Sequence, residues 1–110
     1  MAEAMTDEQT GFLDETLRRL VGMLAPVPRS GVLPSDTLIG GLGYDSLSLM
    51  ELAFNVEDLF GLDSISMERS VAIKTVADLT AFVTDEIAEG RGTMPDSEAL
   101  AEKFGEAGGY

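Results

Sequence analysis

The chain has 110 residues, 45% of them hydrophobic, enough for one small domain with a real core and too many for a disordered chain. Twenty acids against seven bases give a formal charge of −13, a field that repels nucleic acid and anionic membrane and favours basic partner surfaces. With no Cys and no His, disulfides, thiolate or imidazole metal sites and Ser-His-Asp or Cys-His nucleophiles are excluded, so catalysis by this chain alone is not expected.

No apolar run approaches the roughly 18 residues of a membrane span. The first five residues are acidic and lack the basic and apolar regions of a signal peptide, so a cytoplasmic protein is expected. Thr6 and Gln9 have the spacing of a capping box. Beyond them Phe12, Leu13, Leu17, Leu20, Val21 and Leu24 recur at helical spacing. This predicts a first helix of about 17 residues that stops before Pro26.

Residues 25–44 hold Pro26, Pro28, Pro34 and several glycines, which makes an unusually long connection. Val32, Leu33, Leu38, Ile39 and Leu42 are apolar enough to pin it to the core, so it reads as an ordered loop, with Ser35 and Asp36 able to cap a short helical turn.

A second helix is predicted over 45–60, opened by Leu42-Gly43-Tyr44-Asp45-Ser46-Leu47. Asp45 or Ser46 can cap it, which sets the Ser46 hydroxyl at the positive end of a helix dipole, where free N–H groups would stabilise a phosphoryl group. At about 100° per residue, Leu49, Leu52, Ala53, Val56, Leu59 and Phe60 gather on a core face. Leu47, Met50 and Phe54 point roughly the opposite way, with Glu51, Glu57 and Asp58 among and beside them. An exposed apolar stripe edged with acids suits partner docking, although scattered surface apolar residues are also ordinary.

Gly61 fits the end of that helix. A short third helix is predicted around 67–71 with Ser64 or Ser66 as its cap, and a fourth opens at Thr75 with Asp78 and carries Val76, Leu79, Phe82, Val83 and Ile87 on one face. Past Gly90 the composition shifts to Gly, Glu and Ala. The expected organisation is a domain over 1–90 and a flexible acidic C-terminal tail over 91–110, with a marginal helix near 97–104. The fold class is all-α, a four-helix bundle of three long helices and one short.

With that helix pattern, the long anchored loop and Gly43-x-Asp45-Ser46-Leu47 at the head of an acidic helix, the chain resembles the acyl carrier proteins over about residues 7–89. The resemblance implies that Ser46 carries 4'-phosphopantetheine, transferred from coenzyme A by a phosphopantetheinyl transferase. The thiol of that arm would hold acyl groups as thioesters. It also implies that Asp45 helps hold the Mg²⁺ of the transferase complex, and that Leu47, Met50, Glu51, Phe54, Glu57 and Asp58 meet basic docking patches. Their owners would be a ketosynthase, an acyltransferase and tailoring enzymes. Met50, Ala53, Ile65 and Val71 are the expected lining of an acyl pocket. No nucleic acid or membrane partner is expected, nor a resident metal, and the protein is expected to be a monomer; Met1 and the four-helix length favour a free-standing one.

Gly43-Tyr44-Asp45-Ser46-Leu47 followed by Ser48-Leu49-Met50-Glu51 is most similar to discrete bacterial carriers of polyketide synthesis, with fatty-acid and peptidyl carriers as alternatives. A reading from a different class is an unmodified acidic helical adaptor that binds through Leu47, Met50 and Phe54, with Ser46 a plain cap. A hydrolase with Ser46 as nucleophile lacks both the His and the Gly-x-Ser-x-Gly turn.

Overall fold

Short polar side chains start the helices of this chain. In the computed structural model, which describes residues 6–63, 65 and 67–105, Thr6 opens α1 (Asp7–Leu24) with the predicted capping box. The Thr6 hydroxyl accepts the Gln9 N–H at 3.1 Å, and the Gln9 side chain accepts the Thr6 N–H at 3.0 Å. Thr75 and Asp78 repeat the device at α4 (Val76–Ala88), where the Asp78 carboxylate also takes the Lys74 N–H. Between them lie α2 (Ser46–Phe60) and the five-residue α3 (Met67–Val71). Gly61, at φ +63°, ends α2 in the left-handed conformation that a glycine adopts without steric cost. Ser64 and Ser66, the predicted caps of α3, lie outside the described residues.

Leu13, Leu17, Leu20 and Val21 of α1 join Leu52, Val56, Leu59 and Phe60 of α2 and Val76, Leu79 and Val83 of α4 in one aliphatic core. α1 packs most extensively on α4 and also on α2. Phe12 lies at the edge of the stripe and is 40% exposed. The described residues contain no strand; an isolated antiparallel bridge joins Thr37 to Thr75.

The long loop is ordered, though two of its predicted anchors are not buried. Val32, Leu38 and Leu42 enter the core, whereas Leu33 and Ile39 face solvent and Tyr44 is buried instead. Backbone bonds tie the loop to the head of α4: Leu38 N–H to Lys74 at 2.9 Å, Val76 N–H to Asp36 at 3.0 Å and Ala77 N–H to Pro34 at 2.8 Å. No helical turn forms at Ser35 and Asp36; the Asp36 carboxylate accepts the Leu33 N–H at 2.8 Å and closes a tight turn. The loop leaves α1 across Gly22, where a Cβ would run into the Arg29 carbonyl, so only glycine admits that crossing.

The C-terminal segment departs from the expected loose tail. Residues 97–104 form a fifth helix, α5 (Ser97–Phe104), capped by Asp96 and by Gly105. It lies against α2, and Met94, Ala99, Leu100 and Phe104 pack on the core from outside. Its bonds to the body are long-range: Thr93 N–H to Phe60 at 2.7 Å and Lys103 Nζ to Asn55 and Asp58, both at 2.9 Å. Composition alone hides such contacts. An eight-residue helix unstable by itself becomes ordered when a neighbouring helix supplies its partners.

Candidate functional site

The head of α2 is built around a reciprocal cap. Asp45 stands at the N-cap, and one oxygen of its carboxylate accepts both the Ser48 N–H at 2.9 Å and the Ser48 hydroxyl at 2.8 Å. The Asp45 N–H is in turn bonded to the Ser48 hydroxyl oxygen at 2.8 Å. The Ser48 N–H first, and the Ser48 hydroxyl after it, hold the Asp45 carboxyl below the usual carboxylate range, so it is ionised at neutral pH.

Since Asp45 does the capping, Ser46 is left with no structural duty. It is the first residue of α2, it is exposed, and its hydroxyl makes no hydrogen bond among the described residues. Gly43, at φ +78°, turns the chain into the helix, and a Cβ there would meet open space, so the approach to Ser46 is clear. Tyr44, between them, points the other way. It is 2% exposed, and its hydroxyl donates to the Val21 carbonyl in the last turn of α1 at 2.5 Å. Burial pushes the Tyr44 phenol far above its ordinary range, so it remains a donor at any working pH.

Leu47, Met50 and Phe54 are each about 70% exposed and form the apolar stripe expected from their spacing. The acids beside them differ. Glu51 is exposed, whereas the Glu57 carboxylate accepts the Ile65 N–H at 2.9 Å and the Asp58 carboxylate accepts Lys103. Glu57 is therefore committed to holding the loop after α2. Along the opposite edge of α2 opens an apolar cavity of about 270 Å³, lined by Leu49, Met50, Ala53, Ile65, Ile73 and others. Met50, Ala53 and Ile65 are on its wall. Val71 is not: it is 67% exposed, and Ser70 and Ile73 occupy the place expected for it, because the short α3 turns Val71 outward.

Residues 15–83 match the family described as a phosphopantetheine attachment site. The chain is 31% identical over 91 residues to the meromycolate extension acyl carrier protein of Mycolicibacterium aurum, covering 82% of this chain and 89% of that protein. The chain belongs to the acyl carrier protein family. The corresponding protein of Mycolicibacterium smegmatis is 30% identical over 102 residues, 92% of this chain and 94% of the relative. An acyl carrier protein of Thermobifida fusca is 31% identical over 67 residues, 61% of this chain and 84% of the relative.

An acyl carrier protein bears a 4'-phosphopantetheine prosthetic group. The head of α2 fits such a group: an exposed hydroxyl with no hydrogen-bond partner among the described residues, on the first turn of a 15-residue helix, with open space over Gly43. Among the described residues no cluster of acids is arranged to hold a metal ion, and no helix is long and apolar enough to cross a membrane. Sequence reasoning missed what Ser48 and Tyr44 do at the head of α2, the one completing the Asp45 cap and the other anchoring the turn to α1. Ser48 was findable, since Asp45 and Ser48 repeat the three-residue spacing of Thr6 with Gln9 and of Thr75 with Asp78. Tyr44 was not, because its partner is 23 residues away.

Proposed function

We propose that Ser46 is the attachment point of the phosphopantetheine arm and that this chain, itself non-catalytic, presents acyl thioesters to a series of enzymes. The observation that carries this reading is the division of labour at the head of α2: Asp45 caps the helix through Ser48, which frees the Ser46 hydroxyl for esterification. The ester phosphate then lies on free N–H groups at the positive end of α2. The arm supplies a thiol on a flexible tether, and the protein supplies position and recognition. Asp45, already ionised and fastened by Ser48, is the acid beside Ser46 suited to the Mg²⁺ of a transferase complex.

Leu47, Met50, Phe54 and Glu51 form the docking face for the transferase, ketosynthase, acyltransferase and tailoring enzymes. Residues 31–67 contain no Lys or Arg, so this face meets basic patches without competing cations of its own strand of sequence. The Met50, Ala53 and Ile65 cavity beside it is the place where an acyl chain would be sheltered. The carrier proper spans about 7–89, in keeping with a family match that ends at 83, and the protein works as a cytoplasmic monomer.

Two cargo classes have support. Gly43-Tyr44-Asp45-Ser46-Leu47 favours polyketide intermediates. Two relatives named for meromycolate extension favour fatty acyl chains. Tyr44 packs into the core and touches α1, so it speaks for packing more than for cargo, and we place the fatty acyl reading first.

The test is intact mass before and after incubation with coenzyme A, Mg²⁺ and a broad-specificity phosphopantetheinyl transferase. A gain of one phosphopantetheine in the parent and none in Ser46→Ala is expected. Loading of Ser46→Ala would move the site elsewhere. No gain in the parent, with a competent control carrier in the same tube, would favour the unmodified adaptor.

A further inference from the structure

Lys103 is a cation that the fold brings to α2 from 45 residues away in the chain. Its ammonium donates to the Asn55 side-chain oxygen and the Asp58 carboxylate at 2.9 Å each, and its side chain is only 17% exposed. Asp58, by contrast, is 67% exposed on its side chain, so a cation approaching from solvent reaches a carboxylate that Lys103 already partners and must compete for it. On the helical wheel Asp58 lies next to Phe54 and Glu51, at the edge of the docking face proposed above.

The grip of α5 on the body is shallow. None of its residues is buried; besides Lys103, half-buried Ala99, Leu100 and Phe104 and the Arg19 guanidinium over the Phe104 ring at 4.4 Å hold it to the body. Segments with few buried contacts open at low free-energy cost.

We propose that α5 is a self-partner for the C-terminal half of the docking face: Lys103 occupies at Asp58 the place of a basic residue of an enzyme, and an enzyme spanning α2 displaces it. The partner is a protein surface bearing Lys or Arg, the phosphopantetheinyl transferase included. The inference rests on the docking face proposed above. Its consequence is a graded surface, with Glu51 and the stripe from Leu47 to Phe54 open at all times and Asp58 uncovered only for partners cationic enough to compete. Where the competent state is a minority, apparent affinity falls by that fraction, and loosening α5 restores it.

The experiment uses the full chain and steady-state kinetics of its modification by a broad-specificity transferase, with Lys103→Ala, Phe104→Ala and Glu51→Lys beside the parent. Phe104→Ala loosens α5 through Arg19 without altering charge, which separates release of α5 from a general gain in negative field. At low salt, KM should fall about fivefold in both α5 variants with kcat unchanged, the size expected for loss of one favourable surface ion pair. The difference should shrink toward 1 M salt, where the Debye length is about 3 Å. An unchanged or raised KM in Lys103→Ala and Phe104→Ala, with KM raised in Glu51→Lys, would overturn the competition and leave the docking face standing. No effect of any variant, Glu51→Lys included, would remove the docking face and this inference with it. Circular dichroism of each variant verifies that the four-helix body is intact.

Discussion

At the scale of single residues, the site depends on which side chain is busy and which is idle. Ser46 is idle, so Ser46→Ala should abolish loading while leaving helicity and melting temperature unchanged; a drop in helicity would mean that Ser46, not Asp45, holds the cap. Tyr44 is busy, and its role is not the one its place in the motif suggests. Tyr44→Phe keeps the ring in the core and leaves the buried Val21 carbonyl without its donor. A loss of about 1–2 kcal/mol in urea unfolding is expected, with modification kinetics close to parental. Unaltered stability would show that the carbonyl finds another donor.

At the scale of elements, two ties decide how the helices sit. The first is the crossing at Gly22, where the obstructing atom is the backbone oxygen of Arg29 and cannot rotate away. Alanine would favour the helix by up to about 1 kcal/mol, but moving a backbone strand costs about 1–3 kcal/mol, so Gly22→Ala should lower the urea midpoint. The second is Glu86, the buried acid that joins α3 to α4. One of its oxygens accepts from Arg91 at 2.7 and 3.1 Å and from Arg69 at 3.2 Å, while Arg69 also lies over the Phe82 ring. Arg91 first, and Arg69 after it, hold the Glu86 carboxyl below its ordinary range. A depressed folded-state pKa stabilises above the unfolded value and is lost as pH falls through the folded one. Glu86→Gln should therefore cost about 1 kcal/mol near pH 7, given arginines that are half exposed. The gap to the parent should close below about pH 4, where free carboxylates take up protons. A gap independent of pH would assign the loss to packing and not to charge.

At the scale of the whole molecule, the charge of −13 is the dominant quantity, and it is unevenly used. Glu57 and Asp58 are engaged internally, by Ile65 and Lys103, which leaves Glu51 as the acid of the stripe free to meet a partner. Glu51→Lys should raise the KM of partner enzymes by roughly three- to tenfold with kcat unchanged, and should flatten the dependence of KM on salt. Reversal of Glu57 would be a poorer probe, because it also unfastens the loop after α2. Unaltered kinetics in Glu51→Lys would remove α2 as the docking element.

Local interactions were legible in the sequence because they are local. Thr6 with Gln9, Thr75 with Asp78, the apolar spacings of α1, α2 and α4, and Ser46 at a helix head all follow from neighbours within about two turns. The same spacing rule set Leu47, Met50 and Phe54 on the exposed side of α2. Only the tertiary structure decided the rest. It chose Tyr44 over Leu33 and Ile39 as an anchor of the loop, turned Val71 away from the cavity, and ordered residues 97–104 on α2 through Lys103. The anchoring of Tyr44 and the docking of residues 97–104 depend on pairs of residues 20 to 50 positions apart, and chain periodicity carries no information on which distant surface will be there to receive a side chain.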